Sequence, residues 1–284
     1  MASNVNSYAS LSELKSILGI TSTTDDVPMR KILESASRYI ENELHRRFYS
    51  TSETKYFDGA VTLWIPDLLS ITTLKTDEDG DGTFENTFAT TDYILYGGGL
   101  EDSLNLFPRT RIEISVDGDY SSFASGVKKG VQIAGVWGYG DGTSATPYVT
   151  DTTLSAAITT TTATTCTVTS ATNLSAAMTI LIDSEQLYIT SISSSTLTVE
   201  RGVNGTTAAT HLNTAQIYYY RYPRDIMQAC LDLGSALYEM RNKNKGLQSE
   251  RVGDYAWVAA GTSLGKSMVE SILENVKGYR RMRF

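Results

Sequence analysis

The period of the hydrophobic pattern changes along this chain, and that change limits its fold more than any other feature. Side chains repeat direction every 3.6 residues in a helix and every two in a strand. Near the start, Leu11, Leu14, Ile17 and Leu18 recur at helical spacing. Ser10 followed by Glu13 fits a capping box, and Gly19 is a natural stop. A second helix is predicted from Thr24, Asp25 and Asp26, whose acids suit the positive helix end. Its inner face is read as Ile32, Leu33, Ala36, Tyr39, Ile40 and Leu44, with Arg30, Lys31, Glu34, Arg38 and Glu41 mostly opposite. Phe48 and Tyr49 are expected to anchor its exit.

From Thr54 to Tyr139 the period becomes two. TKYFDG, VTLWIP, ITTLKT, TDYILY, LNLF, TRIEISV and VQIAGVWGYG are short β-rich runs separated by Gly, Asp and Pro. They predict an antiparallel region of roughly six strands. Between Asp151 and Tyr220 the chain is rich in Ser and Thr, with Arg201 as its single Lys or Arg. Such a stretch invites a disordered-linker reading, but Ile180, Ile182, Leu187, Ile189, Ile192, Leu197 and Val199 alternate with polar residues. We read it as an inserted β module with its own core. Helical spacing returns after Pro223 through Ile226, Cys230, Leu233, Leu237 and Met240. NKNKGLQSERVGD interrupts it, and a last helix is predicted from Ser263 through Val276.

The fold class is therefore α+β: a helical bundle formed by N- and C-terminal helices, with a long antiparallel β insertion and an additional small β domain. The divisions are 1–53, N-terminal helices; 54–148, β region; 149–221, Ser/Thr-rich β module; and 222–284, C-terminal helices and basic tail.

Charge and cysteine content narrow the function. The formal net charge is -8, which suits DNA passing nearby better than DNA held tightly, since nonspecific grip needs Lys and Arg against phosphates. Cys166 and Cys230 are far apart and no CxxC occurs, so two free thiols in a reducing cytosol are expected and a zinc site is not. The N-terminus lacks the pattern of a signal peptide, and no stretch approaches a membrane span. The protein is expected to be made and folded in the cytosol.

Several strings together resemble the head–tail connector, or adaptor, proteins of tailed bacteriophages. SLSELKSILGI and ESASRYIENELHRRF resemble the family's N-terminal helical pair, and KYFDG with TLWIPDLLSITTLKTDEDGDGTF its first hairpins. GVQIAGVWGYG resembles its closing strand; YPRDIMQACLDLGSALYEMRN, SERVGDYAWV and a final helix resemble its C-terminal half. The resemblance covers residues 8–140 and 222–284, and LTVERGVNGTTAATH resembles a small β unit of phage structural proteins. It implies a non-enzymatic virion protein that forms a ring of about twelve copies beneath the portal. Its implied partners are itself, the portal protein, a downstream neck or tail protein, and double-stranded DNA passing through the lumen without specific binding. No membrane partner and no cofactor are expected. Other neck components, a stopper or a tail-completion protein, are the nearest alternative. A glycan-binding protein, suggested by the β-rich middle and 17 tyrosines, is more distant.

Candidate sites are few. Asp77, Asp79, Asp81 and Gly82 match the opening of a calcium loop, but the twelfth position is Phe88 and the flanks read as strands. An Asp/Gly hairpin turn is the preferred reading. Gly97–Gly98–Gly99 and Gly138, Gly140 and Gly142 lack the ending and context of phosphate loops and read as turns. His45, beside Arg46 and Arg47, suits a helix C-terminus; His211 lies in the module. No nucleophile, metal motif or triad stands out. Tyr255 and Trp257 read as packing between helices or as a loop facing a neighbour or the lumen. The terminal Tyr279, Arg280, Arg281, Arg283 and Phe284 read as a solvated end, as a segment that orders on the portal, or as a contact with DNA phosphates. The portal reading is the functional choice, because Arg pairs with carboxylates and aromatics anchor interfaces.

Overall fold

The computed structural model describes residues 4–97, 107–242, 249–252, 255–258 and 269–281. It is an α+β protein with two antiparallel six-stranded sheets and few helices.

Helix α1 (Leu11–Leu18) carries the full capping box, with Ser10 and Glu13 each satisfying the other's backbone N–H, and ends at Gly19 with φ 65°. Helix α2 (Asp26–Leu44) follows, and α3 (Arg224–Asn242) packs on both from the other end of the chain. Close approach is possible because residue 234 is glycine: an added Cβ would lie 3.1 Å from Leu33 Cδ2. Leu11, Leu14, Met29, Leu33, Ile40, Ile226, Cys230 and Leu233 share one buried core. Residues 269–274 are helical, and Ile272 and Val276 join that core. Ile17, Tyr39 and Met240, assigned inward by spacing, are 51%, 43% and 47% exposed. A neighbouring helix covers the middle of an apolar stripe and leaves its margins in water.

The first sheet has the order β1-β6-β2-β5-β4, with β3 beside β2. Its strands are β1 (Thr51–Phe57), β2 (Thr62–Thr76), β3 (Asn86–Thr87), β4 (Tyr93–Gly97), β5 (Arg109–Ile114) and β6 (Val131–Trp137). VTLWIP and ITTLKT, read as two strands, are the single strand β2. Pro66 falls within a register shift between Trp64 and Leu68, where its missing N–H breaks no regular rung. LNLF falls mostly outside the described residues. Leu63, Ile65, Leu74, Ile112, Val131 and Ile133 form this sheet's core.

The Ser/Thr-rich segment is folded throughout. Strands β7 (Tyr148–Thr153), β8 (Thr165–Thr167), β9 (Thr179–Ile182), β10 (Glu185–Ser193), β11 (Thr196–Glu200) and β12 (Gln216–Tyr220) pair in the order β7-β12-β9-β10-β11-β8. The Ser155 N–H donates to Thr167 C=O and the Thr169 N–H to Thr153 C=O, both at 2.9 Å. The two edge strands thus meet and the sheet closes into a small barrel, which leaves little unpaired edge. Ile180, Ile182, Leu187, Ile189, Leu197 and Val199 fill it, as their alternation predicts.

The module is nevertheless not a self-contained accessory. Ala176, Ala177, Tyr188, Val203 and Tyr220 belong to the same core as the helices. Leu11 N–H donates to Ala176 C=O and Ser52 N–H to Asn204 C=O, both at 3.0 Å. Gln186 Nε2 donates to Ser50 Oγ at 3.0 Å, Tyr188 Oη to Glu34 at 2.8 Å and Tyr220 Oη to Phe48 C=O at 3.0 Å. One side of the barrel serves as a wall of the helical core.

After α3 the segment expected only to interrupt helices contains a hairpin, β13 (Ser249–Val252) with β14 (Tyr255–Val258). Gly253 and Asp254, between the two strands in the sequence, lie outside the described residues. Tyr255 and Trp257 stand on a strand rather than in a loop. Residues 263–268 of the expected last helix lie outside the described residues.

Candidate functional site

The described end of the chain returns to the C-terminus of α2. His45 ends that helix in the left-handed conformation at φ 52°, leaving helix carbonyls without intrahelical donors. The Arg281 N–H donates to Leu44 C=O at 2.9 Å, and Arg281 Nη2 donates to Ile65 C=O at 2.8 Å. A cation here also complements the negative helix end. Tyr279 lies in a single 3-10 turn, Lys277–Tyr279. Its ring centroid is 5.7 Å from that of Phe48 and 5.6 Å from that of Tyr139, and its hydroxyl donates to Asp225 at 3.3 Å.

The predicted terminal residues therefore divide. Tyr279 and Arg281 are packed into the body, Arg280 is exposed, and Arg283 and Phe284 lie outside the described residues. The aromatic cluster holds Tyr279 and the open helix end holds Arg281.

Around Arg281 is a basic pocket of about 170 Å³, lined among others by His45, Arg46, Arg47, Lys55, Asp67 and Trp137. Arg46 is 3.0 Å from Asp67 and stacks over Tyr139 with its guanidinium carbon 4.8 Å from the ring centroid. Asp67 is 5% exposed and its Oδ1 has no hydrogen-bond partner among the described residues. Burial pushes its carboxyl above the ordinary range, against the pull of Arg46 and Arg281. Arg47 and Lys55 share Glu53 at 3.2 and 2.7 Å. Four full cations thus face two carboxylates. The sequence shows Arg46 and Arg47 as neighbours of a helix end, but only the fold brings Lys55, Asp67 and Arg281 to them.

The Asp/Gly string forms the turn between β2 and β3, as its flanks predict. Asp77 accepts the N–H groups of Gly80 at 2.6 Å and Gly82 at 2.8 Å, and Asp81 accepts that of Thr83 at 2.7 Å. Those backbone bonds hold the Asp77 carboxyl below its ordinary range, although desolvation works the other way. Asp77, Asp79, Asp81 and Glu85 place carboxylate oxygens within 4.8 Å of one another. Gly138, Gly140 and Gly142 all have positive φ, at 141°, 67° and 77°, consistent with turns. Gly98 and Gly99 lie outside the described residues.

A buried polar network in the module had no counterpart in the sequence reading. Glu185, fully buried, takes two bonds from Arg201 at 2.6 Å each, and the Gly202 and Ala209 N–H groups donate to it. His211 lies between Glu185 at 2.8 Å and Asp183 at 2.7 Å. Arg201 also reaches the carbonyls of Ala163 and Ala209. This network fastens the loop of ERGVNGTTAATH across the barrel, and Gly205 within it packs on β1: an added Cβ would lie 2.3 Å from Ser52 C=O. The sequence signal was faint, a lone Arg and a lone His ten residues apart in a stretch almost free of both.

Residues 8–76 match the family model of phage gp6-like head-tail connector proteins. The match supports the head–tail connector family for this chain. The matched segment spans α1, α2, β1 and the whole of β2, ending on the residue before the acidic turn. The β module lies outside it. No curated protein matches the chain. A head–tail connector is a structural rather than an enzymatic component, placed at the neck of the virion with other neck and tail proteins. Among the described residues no helix is long and apolar enough to cross a membrane.

Proposed function

We propose that this connector is a head-to-tail adaptor, assembled as a homo-oligomeric ring of about twelve copies beneath the portal. The observation that carries this reading is the family match over residues 8–76. The helices from the two chain ends act as a bundle that forms the ring body. The ring extends the DNA channel and presents a surface to the next neck or tail protein. Its negative balance, summed around the ring, discourages duplex DNA from adhering to the lumen. The terminal segment grips the portal: Tyr279 and Arg281 fix its root, while Arg280, Arg283 and Phe284 supply the contact. The β module sits on the outer side of the ring, where its bulk leaves the channel open.

Electron microscopy of the full chain mixed with its portal tests this reading. A ring capping the portal is the expected image. Attachment without rotational order, or none, would favour a stopper or a tail-completion protein instead.

A further inference from the structure

The basic pocket and the acidic turn lie at opposite ends of one strand pair. β2 and β6 run together from Leu68 and Trp137 to Thr76 and Val131. The pocket opens beside Trp137 and Asp67. The turn leaves from Thr76, with the Asp77 N–H bound to Gly130 C=O at 2.9 Å. At about 3.3 Å per residue the two are roughly 30 Å apart, so one copy's turn cannot occupy its own pocket.

Their charges are complementary. Residues 77–85 contain Asp77, Glu78, Asp79, Asp81 and Glu85 and no Lys or Arg. Nearby Lys128 is committed to Asp58 at 2.7 Å. In the pocket, the Arg47 and Lys55 side chains are 50% and 27% exposed. Trp64, 65% exposed, lies two residues from the pocket-lining Pro66, with the Arg111 guanidinium carbon 5.4 Å from its ring centroid. It adds the kind of large aromatic surface that association buries.

We propose that this pocket receives the acidic turn, residues 77–85, of a second copy of the chain, in a head-to-tail contact. Unlike patches that complement each other form a heterologous interface, which generates a ring when the rotation closes. The charge pairs set register and steer approach, and exposed Trp64 offers apolar surface nearby. The inference rests on the ring reading and names the contact that would build it.

The test uses two full-length variants, Arg47→Glu with Lys55→Glu, and Asp79→Lys with Asp81→Lys, in sedimentation velocity at low and high salt. The wild type is expected to self-associate, less so at high salt. Each variant alone should associate at least tenfold more weakly. An equimolar mixture should recover association, because each supplies the partner that the other's changed patch now needs. Recovery also shows that both variants are folded. Association of either variant at wild-type strength, or no recovery in the mixture, overturns the contact while leaving a portal-capping ring intact. A wild type that stays monomeric at every concentration overturns it too, and the portal images then decide the ring separately. Unchanged assembly with lost binding to a short DNA duplex would assign the pocket to phosphates and reject the contact.

Discussion

At the scale of single residues, the module depends on a charge placed where water cannot reach it. Glu185 is fully buried, and its cost is offset only because Arg201, His211 and two backbone N–H groups all converge on it. Breaking such a pair is worse than never having built it, since the survivor stays buried and charged. Arg201→Ala is expected to lose about 3–5 kcal/mol of stability, measured by urea unfolding. Desolvation opposes the charge on Glu185, but the bonds from Arg201, Ala209, His211 and Gly202 prevail and hold its carboxyl below the ordinary range. A carboxyl depressed in the folded state stabilises above its unfolded value, roughly 4.3, and that contribution fades as pH falls through the folded value. The urea midpoint should therefore drop on acidification below about pH 4. Glu185→Gln should start less stable and show a shallower acid limb. An unchanged limb would show that other carboxylates control it.

At the scale of elements, the joints carry more constraint than the strands and helices they connect. Gly138 follows β6 with φ 141°, and an added Cβ would lie 2.1 Å from Tyr49 C=O. Gly138→Ala must displace either the exit of α2 or the end of β6, at a cost of roughly 3 kcal/mol or more; thermal unfolding measures it. The C-terminus is a second joint. A chain ending at Gly278 loses the Tyr279 ring contacts and the Arg281 bonds to Leu44 and Ile65, and should lose roughly 2 kcal/mol or more. A chain ending at Arg281 keeps them and should unfold like the whole protein. The chain ending at Arg281 separates attachment from stability: on the portal-gripping proposal it should stay folded yet bind portal poorly in a pull-down.

At the scale of the molecule, the module behaves as a wall as well as an insertion. Its barrel has a core of its own, but Tyr188, Val203 and Tyr220 also close the helical core. Deleting residues 151–220 and joining the flanks would strip Tyr188, Val203 and Tyr220 from the helical core and leave Leu11, Ser50 and Ser52 without their partners Ala176, Gln186 and Asn204. The deleted chain is expected to aggregate or to bind a hydrophobic dye, with near-ultraviolet circular dichroism largely lost. A soluble, cooperatively folding product would mean that the helices close their core without the barrel.

The sequence by itself determined what depends on near neighbours. The capping box at Ser10, the stop at Gly19, the barrel's alternating core and the Asp77–Gly82 turn follow from spacings of a few residues, because backbone periodicity and local hydrogen bonds act over that range. The β13–β14 hairpin was legible too, and was obscured by expecting only helices after Pro223. The margins of the helical stripes were not legible, since which of Ile17, Leu18, Tyr39 or Met240 is covered depends on the neighbour's position. Tertiary structure alone decided that Arg281 seals the end of a helix 237 positions earlier, that Lys55, Asp67 and Arg281 form one pocket, and that a Ser/Thr-rich insertion walls the helical core. Those juxtapositions arise from burial and electrostatics, which act through space and are indifferent to separation along the chain.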